Sequence, residues 1–189
     1  MSSNIAVNVV KAELSQLVII DMQTKLTSAM QADAMQLVIK HCGILAQAAS
    51  LLSVPVIVTE QYPQGLGETL PQIKQHIGAC KPIEKTAFSA ASVPKFNQQL
   101  HRDQPQIIIA GMESHICVLQ TALDLIKANK QVFVVEDAII SRSASNKANA
   151  IARMRDAGCV VTNTESVVFE WLGNAQHSTF KAISLLIRL

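Results

Sequence analysis

Short apolar runs alternate with longer amphipathic segments along most of this chain. Three segments carry apolar residues at helical spacing, at 34–52, 113–129 and 145–157. The apolar runs are rich in β-branched residues on both faces, which is typical of parallel strands that helices cover. The predicted strands span 16–21, 54–60, 106–111, 131–137 and 158–163. Because strand and helix alternate, we predict an α/β fold with a doubly wound, Rossmann-like, mostly parallel sheet and helices on both faces.

Two local signals place helix ends near the end of the chain. Gly158 follows the helical spacing of 145–157, at a position where a glycine commonly ends a helix. The sequence TNTE at 162–165 predicts a capping box in which Thr162 opens a helix that ends near Gly173. These signals predict a helix, a short strand and a second helix in succession.

The stretch 61–105 departs from this alternation because it is too long for an ordinary crossover. The sequence QYPQGLGETLPQ predicts a turn-rich loop, and CKPIEKTAFSA predicts a short strand that leads into another loop. Residues 93–102 have helical spacing. Since long structured loops in a compact domain are often functional, we expect this stretch to contribute to a site.

Length and charge narrow the classes of function. The 189 residues are an ordinary size for one domain, and we expect a single domain over residues 1–189. The net charge of +2 is spread along the chain without a block of Lys and Arg, which argues against nucleic acid or a membrane as partner. The first residues lack the pattern of a signal peptide, and no apolar run approaches the about 20 residues of a membrane helix. We therefore expect a soluble, cytoplasmic protein that binds a small molecule or another protein.

The carboxyl ends of the predicted strands are where open α/β sheets bind ligands. Asp21 ends the first predicted strand, and Lys85 lies near the end of the short strand in the long loop region. A carboxylate at this edge is partly desolvated and suits a general base, although Asp21 could equally cap a helix or form a loop salt bridge. Lys85 could be a solvated lysine beside Glu84, or it could stabilise a thiolate and orient an acid.

The cysteines need separate explanations, because none shows the spacing of a metal site. Cys42, Cys80 and Cys159 lie in apolar contexts and are expected to be free thiols with structural roles. Cys117 instead falls near the start of the helix predicted from Glu113. Unpaired N–H groups and the helix dipole there would lower the pKa of a thiol and could hold an oxyanion. Cys117 is therefore either another buried thiol or a nucleophile.

Other common chemistries lack their sequence patterns. The five histidines share no ligand spacing, and His115 stands two residues before Cys117, on the wrong side of a helical turn for a Cys–His pair. Neither D-x-H nor H-x-x-x-H follows the second strand, and the G-x-G-x-x-G and P-loop patterns are missing from the sequence. We therefore predict no metal site and no cofactor.

Three motifs in chain order indicate a family. They are LVIIDMQ around Asp21, EKTAFSA around Lys85 and IIIAGMESHICVLQTALDL around Cys117. Together they resemble the isochorismatase-like cysteine hydrolase superfamily over about residues 14–187. VTEQYPQGLGET and EDAIISRSASNKANAIARMRDAG resemble most closely the isochorismatase domain-containing proteins of animals and their microbial relatives. The resemblance implies the isochorismatase-like hydrolase fold and a homo-oligomer, either a dimer or a tetramer.

The resemblance also implies a role for each motif. Asp21 would take the proton of the Cys117 thiol, with Lys85 stabilising the resulting charges. The thiolate would attack an amide or carbamoyl carbon and form a thioester that water hydrolyses, as in an amidohydrolase. A cis peptide bond is implied at Met112–Glu113, and the backbone N–H groups of Glu113 and Cys117 would form the oxyanion hole.

Departures from the family pattern limit the substrate. Nicotinamidases of this superfamily carry an Asp/His metal cluster after the second strand, where this chain reads TEQYPQGLG, so neither nicotinamide nor a metal is expected. Enzymes that cleave isochorismate usually have glycine at the position of Cys117, so that reaction is not expected either. Gln61, Tyr62 and Phe88 are expected to contact the substrate because they lie beside the catalytic candidates. The segment QYPQGLG could instead pack against a neighbouring subunit.

Two further functions remain open on the sequence. One is a non-catalytic binding or scaffold protein with an idle hydrolase site, in which Cys117 would be unreactive. The other is a redox-sensing thiol, which would need a nearby resolving cysteine. The intact set of Asp21, Lys85 and Cys117 favours the hydrolase over both.

Overall fold

Within residues 9–188, which the computed structural model describes, six strands form one sheet. The strands are β1 (Ser15–Ile20), β2 (Val56–Gln61), β3 (Ile83–Lys85), β4 (Gln106–Met112), β5 (Gln131–Ile140) and β6 (Val160–Thr162). Every neighbouring pair is parallel, and the order across the sheet is β3-β2-β1-β4-β5-β6. The chain reverses its direction of winding between β1 and β4, which is where such sheets place ligands. The predicted doubly wound α/β fold is confirmed.

Helices cover both faces of the sheet. They are α1 (Ala32–Leu51), α2 (Pro94–Gln99), α3 (Leu119–Lys127), α4 (Ala144–Asp156), α5 (Thr164–Leu172) and α6 (Phe180–Arg188). Short helical turns lie at Ala12–Leu14, Thr24–Thr27, Pro63–Leu66, Pro71–Lys74 and Ala90–Ser92, and a π-helical turn spans Ser114–Val118. Alternate residues of β1 enter different cores: Leu17 and Ile19 pack with α1, α5 and α6, whereas Val18 and Ile20 pack with α2, α3 and α4. Burial on both faces explains why the strands are apolar throughout.

Several predicted boundaries were wrong. The helix expected at 93–102 is limited to Pro94–Gln99, because Leu100 is already extended. The helix expected to start near Glu113 begins as the π-helical turn and becomes α-helical only at Leu119. The amphipathic C-terminal helix α6, which buries Ile183, was not predicted.

The predicted capping box is also wrong by one residue. Thr162 still pairs with β5 as the last residue of β6, so it cannot open the helix. Asn163 caps α5 instead, and its side chain accepts a hydrogen bond from the N–H of Ser166 at 2.9 Å. Gly158 does follow α4 in a left-handed conformation, with φ of 97°, as predicted.

A single glycine controls how closely β4 approaches β1. Gly111 has φ of 116°, and a Cβ atom there would lie 2.1 Å from the carbonyl oxygen of Ile20. Only glycine fits such a conformation and such a close backbone contact. The close approach brings the segment after β4 beside Asp21, the residue that follows β1.

Candidate active site

Asp21 is turned into the protein directly after β1. It has φ of 50°, a left-handed conformation that costs a non-glycine residue about 1–3 kcal/mol and is often found at functional sites. The residue is fully buried, and Thr59 Oγ1 donates a hydrogen bond to its Oδ1 at 2.7 Å. Its Oδ2 lies 2.7 Å from Lys85 Nζ. The carboxylate is therefore held from both sides, and it does not cap a helix.

Lys85 is the buried partner of Asp21, not a solvated lysine. Parallel pairing of β2 with β3 places Lys85 beside Gln61, and Lys85 Nζ donates to Gln61 Oε1 at 2.6 Å. Carbonyl oxygens of Ala87 and Phe88 lie 3.3 and 3.1 Å from the same nitrogen. The side chains of Lys85 and Asp21 are both 0% exposed. A buried ion pair persists only where such extra hydrogen bonds satisfy it.

Cys117 lies in the π-helical turn after β4 and is buried, with 7% of its surface exposed. The pKa of the Cys117 thiol is raised to about 12. Burial is the largest cause and the negative charge of Asp21 is the second, while the positive charge of Lys85 acts in the opposite direction. The expectation that the helix start lowers this pKa was wrong, because desolvation and the carboxylate outweigh the backbone dipoles. The resting group is a protonated thiol.

A cavity of about 150 Å³ lies at Cys117 and Asp21. Gln61 and Phe88, two of the three residues expected to contact a substrate, line it with them, whereas Lys85 is linked to it through its contact with Asp21. Tyr62, the third, is 55% exposed and borders a surface hollow that Lys85 also lines, and its contact with a substrate stays a prediction. The remaining lining residues, which the sequence interpretation did not assign to substrate contact, are Leu26, Leu66, Met112, Glu113, Ile116 and Arg142.

An ion pair forms one wall of this cavity. The peptide bond between Met112 and Glu113 is cis. Arg142 Nη2 lies 2.6 Å from Glu113 Oε1, while Arg142 Nε and its backbone N–H each donate to Oε2 at 3.1 Å. Burial alone would raise the pKa of the Glu113 carboxyl, but the hydrogen bonds and charge of Arg142 lower it below its ordinary value. No sequence pattern identifies Arg142, which is 29 residues from its partner.

Gln23 positions the loop that faces Asp21. Its Nε2 donates to the carbonyl oxygens of Gln61 at 3.0 Å and Gly67 at 2.6 Å, and its Oε1 accepts from the N–H of Gln61 at 2.7 Å. This buried amide follows Asp21 by two residues in the motif LVIIDMQ. The sequence signal that could have identified Gln23 is its place in this motif, two residues after the carboxylate that ends an apolar strand.

The histidine two residues before Cys117 has a structural contact. His115 Nδ1 lies 2.9 Å from Ser141 Oγ and 3.9 Å from Glu113 Oε2. Over residues 9–188, no group of three His, Cys, Asp or Glu side chains is arranged to hold a metal ion. Nor does any helix in that range have the length and apolar character to cross a membrane.

A parallel sheet that places a thiol and a carboxylate around one cavity at its switch point, with an ammonium group paired to that carboxylate, defines an isochorismatase-like α/β hydrolase. The sequence profile of the Isochorismatase domain matches residues 15–166, and the chain belongs to the isochorismatase family.

Relatives support this family over most of the chain. Isochorismatase domain-containing protein 2 of Bos taurus is 37% identical over 177 residues, which are 92% of this chain and 83% of that protein. Isochorismatase family protein 1B of Dictyostelium discoideum is 35% identical over 182 residues, covering 90% of this chain and 84% of that protein. A solved structure named MAR1 ribonuclease, from Caenorhabditis elegans, has a TM-score of 0.90 and 36% identity and covers 95% of this chain and 92% of that one. The predicted family and fold are confirmed.

Proposed function

We propose that this protein is a metal-independent cysteine hydrolase that cleaves the C–N bond of a small amide or carbamoyl compound. The observation that carries the proposal is that Cys117 and Asp21 line one small cavity, with Lys85 paired to Asp21 as its buried partner. Cys117 is the nucleophile, Asp21 is its general base, and Lys85 balances the charge of Asp21 while the proton moves.

The raised pKa of Cys117 defines how the thiol would be activated. Because the thiol keeps its proton at rest, attack and deprotonation are coupled: the Sγ–C bond forms as Asp21 takes the proton. The backbone N–H groups of Glu113 and Cys117 stabilise the resulting oxyanion. The tetrahedral species then breaks its C–N bond, and the amine leaves with the proton from Asp21. Water, deprotonated by Asp21, cleaves the thioester and releases the carboxylic acid and the thiol.

The walls of the cavity indicate the kind of acyl group. Apart from the reacting residues they are mostly apolar, with side chains from Leu26, Leu66, Met112, Ile116 and Phe88. The charged groups are already paired, Asp21 with Lys85 and Glu113 with Arg142. A small, uncharged substrate with a compact apolar part would lose less hydration free energy on entry than an ionic one would.

A screen for ammonia or amine release from small amides tests the proposal. We expect turnover by the wild-type protein and its loss in Cys117→Ala, and intact-mass analysis should detect an acyl adduct on Cys117. Cys80→Ala is the matched control, because Cys80 lies outside the cavity lining, and it should retain turnover. Equal turnover by Cys117→Ala and wild type would refute the nucleophile. A binding or scaffold protein with an idle site would show no turnover and no adduct.

Ribonuclease activity is a second candidate, favoured by the names of solved relatives such as the one from Caenorhabditis elegans. RNA cleavage would need cations that are free to hold phosphates. Lys85 and Arg142 are both committed to carboxylates, and the cavity of about 150 Å³ is small for a nucleotide. An RNA substrate included in the same screen separates the two activities.

We also infer that the protein forms a homo-oligomer, a dimer or a tetramer. The supporting observation is that two aromatic side chains near the cavity, Tyr62 and Phe88, are 55% and 53% exposed. Aromatic residues are enriched at protein interfaces. Light scattering after size-exclusion chromatography gives the mass directly, and a monomer at micromolar concentration would refute the inference.

A further inference from the structure

A second cavity lies next to the catalytic one, on the other side of Arg142. Its volume is about 340 Å³, larger than the catalytic cavity. It is bounded by α1, by the carboxyl end of β5 and by the first turn of α4, so it opens at the edge of the sheet where α/β folds bind ligands. The lining residues that matter here are Leu37, Val38, Asp137, Ile140, Arg142 and Lys147.

Lys147 is the unusual group in this cavity. Its side chain is half-buried, yet among the residues that the structure describes Lys147 Nζ has no hydrogen bond and no carboxylate within ion-pair distance. Burial lowers the pKa of this ammonium group, while the more distant charges of Glu136 and Asp137 raise it. A partly desolvated charge without a partner is unfavourable, and an anion in the cavity would relieve it.

The other charged groups on the walls leave room for an anion. Asp137 is the carboxylate of the lining, and its Oδ1 already accepts hydrogen bonds from the backbone N–H and the Oγ1 of Thr164, each at 2.8 Å. Its Oδ2 lies 3.6 Å from His41 Nδ1. Arg142 also borders the cavity, with 57% of its side chain exposed, but its charge is paired with that of Glu113. Among the described residues of this lining, Lys147 is therefore the group whose positive charge stays available to an anion.

The rest of the cavity is apolar. Ala34, Leu37 and Val38 of α1 face Ile140 of β5 across it, and Leu37 is 57% exposed. An exposed leucine beside an ammonium group without a partner matches a ligand that has an apolar body and one negative charge. An inorganic anion would leave the apolar wall in contact with water.

We propose that this cavity is a binding site for a small organic carboxylate with a compact apolar body. Lys147 Nζ pairs with the carboxylate, and the side chains of α1 and Ile140 pack against the apolar body. The site is separate from Cys117, and the proposal does not depend on the hydrolase activity.

Calorimetric titration with benzoate and with its uncharged analogue benzyl alcohol, which has no C–N bond to cleave, tests the proposal. Benzoate is expected to bind the wild-type protein. Benzyl alcohol lacks the charge and acetate lacks the apolar body, so each is expected to bind at least about tenfold more weakly. Lys147→Gln should weaken benzoate binding by about tenfold or more, whereas Lys147→Arg keeps the charge and should stay within about threefold. Lys95→Gln is the matched control, since Lys95 is an exposed lysine on α2, and should bind like wild type.

Three results would overturn the proposal. One is that the wild-type protein shows no benzoate binding at about 10 mM, a concentration at which a complex with a dissociation constant of about 10 mM would be half formed. The second is equal affinity for benzoate and benzyl alcohol. The third is equal benzoate affinity in Lys147→Gln and Lys95→Gln. Thermal unfolding of each variant shows whether it is folded, and the titration uses only folded protein.

Discussion

Replacing Asp21 by asparagine would keep the shape of the side chain and remove the negative charge that faces Cys117. The amide oxygen can still accept the hydrogen bond from Thr59, and Lys85 keeps its contacts with Gln61 and two backbone carbonyls. The Lys85 ammonium group loses its counter-charge, which should lower the free energy of unfolding by about 3–5 kcal/mol, so thermal unfolding of the variant is measured first and only folded protein is used. The variant separates two effects of Asp21, because the charge raises the pKa of the Cys117 thiol while the carboxylate is also the proposed base.

The size of the effect follows from Coulomb's law. A charge at about 4–6 Å, in a site with an effective dielectric constant of about 20, is worth roughly 3–4 kcal/mol, or two to three pKa units. Near neutral pH the thiolate fraction of Cys117 would then rise by about 100- to 1000-fold. A less basic thiolate is also a weaker nucleophile, with a Brønsted coefficient of about 0.4–0.5, so the alkylation rate should rise by about 10- to 50-fold.

Alkylation by iodoacetamide, followed peptide by peptide by mass spectrometry, measures this rate. We expect Asp21→Asn to label faster at Cys117 than wild type between about pH 7 and pH 9, while losing amide turnover. Cys80 is the internal control, because Asp21 is not a cause of its raised pKa. The reasoning is refuted if Cys117 labels no faster in Asp21→Asn while Cys80 labels equally in both proteins.

Three further changes test the packing around the site. Lys85→Met leaves Asp21 buried without its partner and should lower the free energy of unfolding by about 3–5 kcal/mol in urea; a loss of only about 0–1 kcal/mol, as for an exposed pair, would contradict this. Gly111→Ala forces a Cβ atom to within 2.1 Å of the backbone of β1, so we expect a loss of more than about 4 kcal/mol or a failure to fold, and a wild-type melting temperature would disprove it. Arg142→Gln removes the group that lowers the pKa of Glu113. A carboxyl group whose pKa is lowered in the folded protein stabilises the fold at pH values above the pKa that it has in the unfolded chain. This stabilisation is lost as the pH falls through the pKa of the folded state. The urea midpoints of Arg142→Gln and wild type should therefore differ most near neutral pH and converge in acid, and a difference that does not change with pH would rule this out.

The candidates for catalysis could be found without a structure because they are tied to local features of the sequence. Asp21 follows an apolar strand, and Cys117 stands just inside a helical pattern after another strand. In a parallel sheet the ends of neighbouring strands meet at one edge, so residues distant in sequence are expected to come together. The environment of each group could not be predicted in the same way. Lys85 could have been solvated, and only the pairing of β2 with β3 shows that it is buried against a residue 64 positions earlier.

Short-range patterns of apolar residues and contiguous motifs were enough to predict the α/β class, the positions of the main strands and the family. The tertiary structure was needed for the raised pKa of Cys117, the pairing of Arg142 with Glu113 and the position of Tyr62 outside the cavity lining. It was also needed to show that, within residues 9–188, Lys147 lies at a second cavity without a hydrogen-bond or ion-pair partner. These properties depend on desolvation and on charges brought close by chain segments far apart in sequence, and no local pattern of residues encodes such distances.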